Sequence, residues 1–168
     1  MKTKKLVRCA LCGAIIAVAS QISIPVQPIP INAGMFAVLL CGGTLGKKYG
    51  TISVAVYILL GIIGAPVFAG FRGGIGVLAG PTGGYIAGYF VIAFVTGAVC
   101  EKTRKLKYVI PFMALAVILC YYVGTIWFCI TTDNNFISAL SICVIPFIPW
   151  DTLKVGLATI VINKYKIK

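Results

Sequence analysis

Six apolar runs, separated by short polar or irregular connections, organise this chain. They cover residues 6–24, 31–45, 51–63, 82–99, 108–130 and 136–162. Crossing a hydrocarbon core of roughly 30 Å takes about 20 apolar residues in a helix, so each run reads as a membrane span, with the second and third the shortest. The pattern predicts an all-α membrane protein of six transmembrane helices, a single unit over residues 1–168.

The longest break in that pattern is Gly64 to Tyr85, GAPVFAGFRGGIGVLAGPTGGY, which holds eight of the nineteen glycines and two of the eight prolines. Glycine and proline at that density do not continue a helix. Irregular backbone is tolerated at membrane depth only where it is buried in protein or lines a cavity. The stretch is therefore expected to re-enter the bundle between the third and fourth spans, with Arg72 a fixed cation at a cavity mouth and Tyr85 a hydroxyl-bearing aromatic at its edge. A plain surface loop with a solvated arginine is the alternative. Gly74, Gly76 and Ala79 match the G-x-G-x-x-A dinucleotide loop, but no strand precedes them and no suitably placed acid follows, so the match carries no weight.

Composition agrees with the periodicity: 60% hydrophobic and 11% charged residues, with a mean hydropathy of +1.04, leave too little polar surface for a soluble globule. The net charge of +12 would point to nucleic acid in a soluble protein, but its distribution follows a membrane. Lys2, Lys4, Lys5 and Arg8 precede the first span, Lys47 and Lys48 separate the second and third, Lys102, Arg104, Lys105 and Lys107 the fourth and fifth, and Lys164, Lys166 and Lys168 follow the sixth. Six crossings put all of these on one side, the cytoplasm by the positive-inside rule, with both termini there. The basic start, apolar run and Ala17-Val18-Ala19 resemble a secretion signal, but removing it would leave five spans and split the clusters, so it is read as a retained span.

Two cations fall outside this scheme, Arg72 and Lys154. Of the three acids, Glu101 and Asp133 lie in polar loops, whereas Asp151 lies in the last span within Pro146-Phe147-Ile148-Pro149-Trp150-Asp151-Thr152-Leu153-Lys154. An intramembrane charge costs at least about 2.5–3.5 kcal/mol on insertion scales. Asp151 and Lys154, three apart on one helical face, can offset that by pairing. Pro146 and Pro149 break the span just before them, however, and a broken span with an acid and a base is a recurring way to build a binding site. The matching ligand would be small and largely apolar, with an anionic end for Lys154 or Arg72 and N–H donors for Asp151.

Other features are less informative. Cys9 and Cys12 form C-x-x-C, but no second pair follows at zinc spacing and there is no histidine, so the seven cysteines read as apolar filler and no metal or cofactor is expected. Ala10, Gly13, Ala14 and Ala17 give the first span small residues at helical spacing, suited to a partner helix or to internal packing. Pro25, Pro28 and Pro30 stiffen the first external connection, a candidate wall for a pocket opening there or a tight turn.

Gly61-x-x-Gly64-x-Pro66-Val67-Phe68-Ala69-Gly70, then Gly73-Gly74, Gly80-Pro81-Thr82-Gly83-Gly84-Tyr85 and Pro149-x-Asp151-x-x-Lys154 together resemble the BioY family. Its members are biotin-specific substrate-binding (S) components of energy-coupling factor (ECF) transporters in prokaryotic cell membranes. The resemblance covers nearly the whole chain. It departs after the first Pro-x-Pro, where Asn32-Ala33-Gly34 replaces the family's Thr-Leu-Gln run and leaves Asn32 to take the glutamine's place. The resemblance implies a non-enzymatic, biotin-binding subunit that works with a membrane coupling protein and two cytosolic ATPases. It implies ligand contacts from Asp151, Lys154, Arg72, Tyr85 and Asn32, and a pocket wall from Phe68, Gly73, Gly74, Gly83, Gly84 and Trp150. It also implies coupling-protein docking on Ala10, Gly13, Ala14 and Ala17. An S component for another vitamin, or an intramembrane enzyme using Asp151 and Lys154 as acid and base, are the competing readings; the second lacks a nucleophile beside the pair.

Overall fold

The computed structural model describes residues 2–164, so Lys166 and Lys168 of the last basic cluster lie outside the described residues. The protein is mostly helical. In chain order come α1 (Lys2–Gln21), β1 (Ser23–Ile24), β2 (Ile31–Asn32), α2 (Gly34–Ile62), α3 (Ile75–Ala79), α4 (Gly83–Lys102), α5 (Leu106–Thr132), α6 (Phe136–Cys143), a 3-10 turn (Ile145–Phe147) and α7 (Ile148–Lys164). Four stretches are long and apolar enough to cross a membrane: Gly34–Ile62, Gly83–Lys102, Leu106–Thr132 and Phe136–Lys164. Exposed apolar side chains such as Val18, Ile118, Ile130 and Ile160 face outward around the bundle, as a lipid-facing surface requires.

The range given for α2 spans two helices joined by a reversal. Gly46 sits at φ 80°, ψ 174° inside it, a conformation open to glycine and strained for other residues. On either side of Gly46 the contacts with α1 run in opposite directions. Before it, Gly34 lies against Ser20 and Cys41 Sγ points to the Cys12 carbonyl. After it, Cys9 Sγ points to the Tyr49 carbonyl, Gly13 packs on Ser53 and Val56, and Ser20 Oγ meets Tyr57 Oη at 3.2 Å. The first half is thus antiparallel to α1 and the second parallel to it. The runs at 31–45 and 51–63 correspond to these two halves, with residues 31 and 32 taken instead by the β-hairpin.

Glycines set the spacing around that reversal. A Cβ on Gly50 would lie 2.7 Å from Gly42 Cα, and one on Gly42 would lie 2.7 Å from the Ala93 carbonyl oxygen. The two halves of α2 and α4 therefore approach at backbone contact. α4 and α5 pack in the same manner, with Gly88 against Cys120 and Gly124 under the Tyr85 ring. α7 lies against α5 through Thr159 Oγ1, 3.3 Å from Met113 Sδ.

The basic clusters converge at one end of the bundle. Lys5 Nζ stands 5.1 Å from the Tyr49 ring centroid, Glu101 Oε1 accepts the Lys47 backbone N–H at 3.0 Å, and Arg104 donates to the Ile162 carbonyl at 3.0 Å. Glu101 is thus no ordinary solvated loop acid: it satisfies a backbone donor freed by the turn at Gly46. The last apolar run, 136–162, is not one helix, because α6 stops at Cys143 and a 3-10 turn containing Pro146 separates it from α7. The first run also ends early, residues 23 and 24 pairing with 32 and 31 as a short antiparallel hairpin.

Gly42→Val is expected to destabilise the protein by about 1–3 kcal/mol, as overpacking does, read as a lowered unfolding midpoint in a fixed detergent. Gly156→Ala, where a Cβ meets open space, is expected to cost nothing. Equal midpoints for Gly42→Val and the wild type would contradict the close approach of α2 and α4.

Candidate binding site

The long connection from residue 64 to 82 is folded onto the bundle. Its backbone turns at positive φ at Gly64, Gly70, Phe71 and Gly74. Gly74 N–H donates to the Gly61 carbonyl at 2.7 Å, and Phe68 and Arg72 exchange two backbone hydrogen bonds at 2.9 and 3.2 Å. Gln21 holds this turn from α1: Nε2 donates to the Phe68 and Pro66 carbonyls at 3.2 and 3.3 Å, and Oε1 accepts the Phe71 N–H at 2.9 Å. Phe68 is buried and meets Tyr57 edge-on, with ring centroids 5.5 Å apart. At the far end, Trp127 Nε1 donates to the Gly80 carbonyl at 2.9 Å.

The charged pair sits where α7 begins. A helix can start at Ile148 because proline is tolerated in a first turn, where its missing N–H has no intrahelical partner to lose. Asp151 then falls in that first turn, where the helix dipole favours a carboxylate. Only 2% of it is exposed. Its Oδ1 accepts from Lys154 Nζ at 2.8 Å and its Oδ2 from the Tyr121 hydroxyl. Lys154 Nζ donates again, to the backbone carbonyl of Asn32 at 2.7 Å. The Asn32 side-chain oxygen accepts the Gly34 N–H at 2.8 Å and the Tyr89 hydroxyl at 3.2 Å. Tyr85 Oη, one turn from Tyr89, is 3.1 Å from Thr125 Oγ1.

A wide apolar cleft of about 720 Å³ between α5, α6 and α7 meets Tyr121 and Asp151, and two narrow cavities of about 50 Å³ each adjoin the rest of the network. The outer one includes Phe68, Arg72, Val77 and Thr82 in its wall, and the inner one Cys120, Tyr121, Phe147, Asp151 and Lys154. Ile29, Pro30, Asn32, Tyr85 and Tyr89 line both, so the two cavities adjoin. The structure thus gathers Asp151, Lys154, Arg72, Tyr85, Asn32 and Phe68 around a common space, with Arg72 at its exposed outer side.

Other expected wall residues lie elsewhere. Trp150 is 47% exposed and lines neither cavity. Gly73 packs on the Ala65 carbonyl, Gly83 on Leu78 and Gly84 on Trp127, and a Cβ on Gly74 meets nothing within 4 Å. Gly73, Gly83 and Gly84 act by close backbone packing, and Gly74 by its left-handed turn. The small residues of α1 also divide. Gly13 is buried against α2 and Ala17 packs on the core, whereas Ala10 and Ala14 are exposed.

The BioY family model matches residues 1–167. The chain belongs to the BioY family. It is 36% identical over 163 residues to the biotin transporter BioY of Thermotoga maritima, covering 97% of this chain and 96% of that one. It is 38% identical over 164 residues to a probable biotin transporter BioY of Pyrococcus horikoshii, covering 98% and 97%. A crystal structure of the S-component for biotin from an ECF-type ABC transporter superposes with a TM-score of 0.89 at 31% identity, covering 97% of this chain and 90% of that chain. This BioY-family chain is accordingly a multi-pass membrane protein.

The site of this BioY chain contains residues that sequence reasoning missed, chiefly Tyr89 and Tyr121. Tyr89 stands four residues after Tyr85 and so shares its helical face; that spacing was the available signal. Nothing in the adjacent pair Tyr121-Tyr122 tells which ring turns inward, and only Tyr121 does. Tyr57, stacked on Tyr89 with centroids 6.4 Å apart, is a phenol in an apolar run, which calls for a buried partner for its hydroxyl.

Removing one partner of a buried pair leaves an uncompensated charge. Lys154→Met is expected to cost about 3–5 kcal/mol of stability. Asp151→Asn combined with Lys154→Met is expected to cost less than the sum of the singles by about 0.5–3 kcal/mol. Unfolding in a fixed detergent measures both, and strict additivity would contradict the pairing.

Proposed function

We propose that this protein is the biotin-binding S component of an ECF-type importer. It captures biotin from outside the cell for uptake driven by ATP hydrolysis in partner subunits. The observation that carries this reading is the buried Asp151, held by Lys154 and Tyr121 at the inner end of a space whose outer side carries Arg72.

Biotin suits that arrangement. Its ureido ring supplies N–H donors, and Asp151 uses one acceptor bond on each oxygen, so lone pairs remain for them. Its valerate carboxylate would be taken by Arg72 at the outer side, while Lys154 stays beside Asp151 at the inner end. The hydrogen bonds of Asn32 use only its oxygens, and its side-chain N–H groups are then available to the ligand in place of the family's glutamine. Ile29, Pro30, Phe68, Tyr85 and Tyr89 surround the apolar middle.

The chain crosses six times in this reading, through α1, the two halves of α2, α4, α5, and α6 with α7 as one broken span. The antiparallel halves of α2 and the gathering of basic clusters at one end support it, and the positive-inside rule puts that end and both termini in the cytoplasm. The connection from 64 to 82 then re-enters from outside. A membrane coupling protein and two cytosolic ATPases complete the transporter, with the exposed Ala10 and Ala14 of α1 facing the coupling protein. The protein itself acts in transport and not as an enzyme.

Titration of the purified protein is expected to give tight, saturable biotin binding. Asp151→Asn and Lys154→Ala are each expected to lose about 2–5 kcal/mol, roughly 30-fold or more in Kd. Two variants binding like the wild type would reject the site, and preference for another vitamin in a competition panel would reject the ligand.

A further inference from the structure

At the end of the bundle away from this site lies a second cleft, of about 440 Å³, that ligand capture does not use. Lys5 and Arg8 of α1 form one wall, Lys47, Lys48 and Tyr49 beyond the Gly46 turn another, and Glu101 closes it from α4. Lys5 and Lys48 Nζ stand 5.1 and 6.0 Å from the Tyr49 ring centroid, within reach of its π face. Glu101 is already committed: one oxygen accepts the Lys47 N–H and the other lies 4.0 Å from Lys47 Nζ. Among the described residues, no carboxylate pairs with Lys5, Arg8 or Lys48. Four cations around a concave space with one engaged acid form an anion site.

The surroundings of the cleft select the anion's source. Arg8, Leu11 and Ile15 share one face of α1 at i, i+3 and i+7, and Leu11 and Ile15 are 61% and 45% exposed. An apolar stripe therefore runs from the cleft along the lipid-facing side of the bundle. We propose that the cleft binds the headgroup phosphate of an anionic phospholipid, with an acyl chain along Leu11 and Ile15. A choline headgroup would bring its own cation against the lysines and is disfavoured. Basic pockets between spans recognise anionic headgroups in this way, each Lys or Arg contributing roughly fivefold in affinity.

Native mass spectrometry of the full-length protein, titrated with phosphatidylglycerol and with phosphatidylcholine, tests this. The wild type is expected to retain phosphatidylglycerol at least about tenfold better, as three unpaired cations imply. Lys5→Gln/Arg8→Gln/Lys48→Gln is expected to abolish that preference, and Lys105→Gln/Lys107→Gln, outside the cleft, to keep it. If the triple variant does not elute as a folded species, the single variants Arg8→Gln and Lys48→Gln decide, each expected to weaken retention about fivefold. Unchanged preference in the cleft variants, or equal loss in the control, overturns the proposal. Displacement of the lipid by excess inorganic phosphate at matched ionic strength assigns the site to free phosphate and overturns its lipid source. Cleft variants that select lipid normally but fail to assemble with partner subunits assign the cleft to a protein contact, which overturns the lipid site as well.

Discussion

Lys154 carries one ammonium group that meets two oxygens from distant parts of the chain, the Asp151 carboxylate at 2.8 Å and the Asn32 carbonyl at 2.7 Å. Neither charge is tolerable alone in a low-dielectric interior. Paired, they fix the start of α7 against the β-hairpin that closes the first connection, 122 residues away in sequence. Tyr121 brings α5 to the same carboxylate, and Tyr89 brings α4 to Asn32. Four elements are thereby registered on one buried charge. The apolar contacts between spans could not do this, since they are non-directional and no stronger than contacts with lipid.

Glycine makes that registration possible by letting helices meet at backbone distance. The turn at Gly46 sends α2 back along α1, and Gly42, Gly50, Gly88 and Gly124 remove the side chains that would hold the helices apart. α4 then carries Tyr85 and Tyr89 to the space lined by Ile29, Pro30 and Asn32. The connection from 64 to 82 then lies over the same space, its polar backbone satisfied internally and by Gln21. Stability and site geometry draw on the same close approach.

Much of this was legible in the residues. The isolated Asp151 and Lys154 stood out because charge is expensive in an apolar run, and Arg72 because it lay apart from every basic cluster. The irregular stretch stood out by its glycines and prolines, with re-entry into the bundle and a plain surface loop both open to it. Other features left no local trace. Hydrophobic periodicity places the apolar runs but does not show that the reversal between the second and third falls at Gly46, or that residues 31 and 32 pair with 24 and 23. Tyr121 and Tyr122 are equivalent by composition, and only packing decides which faces the acid. The family resemblance implies a wall role for Trp150 and for the glycines at 73, 74, 83 and 84. Three-dimensional packing gives the glycines a spacing or turning role and leaves Trp150 half exposed.

Asp151 and Lys154 would stabilise the fold as a structural pair even if no ligand met them, so their place at the inner end of a ligand site needs its own test. An experimental structure with biotin bound supplies it most directly. It is expected to place one polar end of the ligand within hydrogen-bonding distance of Asp151 or Lys154, the other toward Arg72, and its middle between Tyr85, Tyr89 and the connection that carries Phe68. Biotin bound elsewhere, more than a side chain's length from both charges, would contradict it.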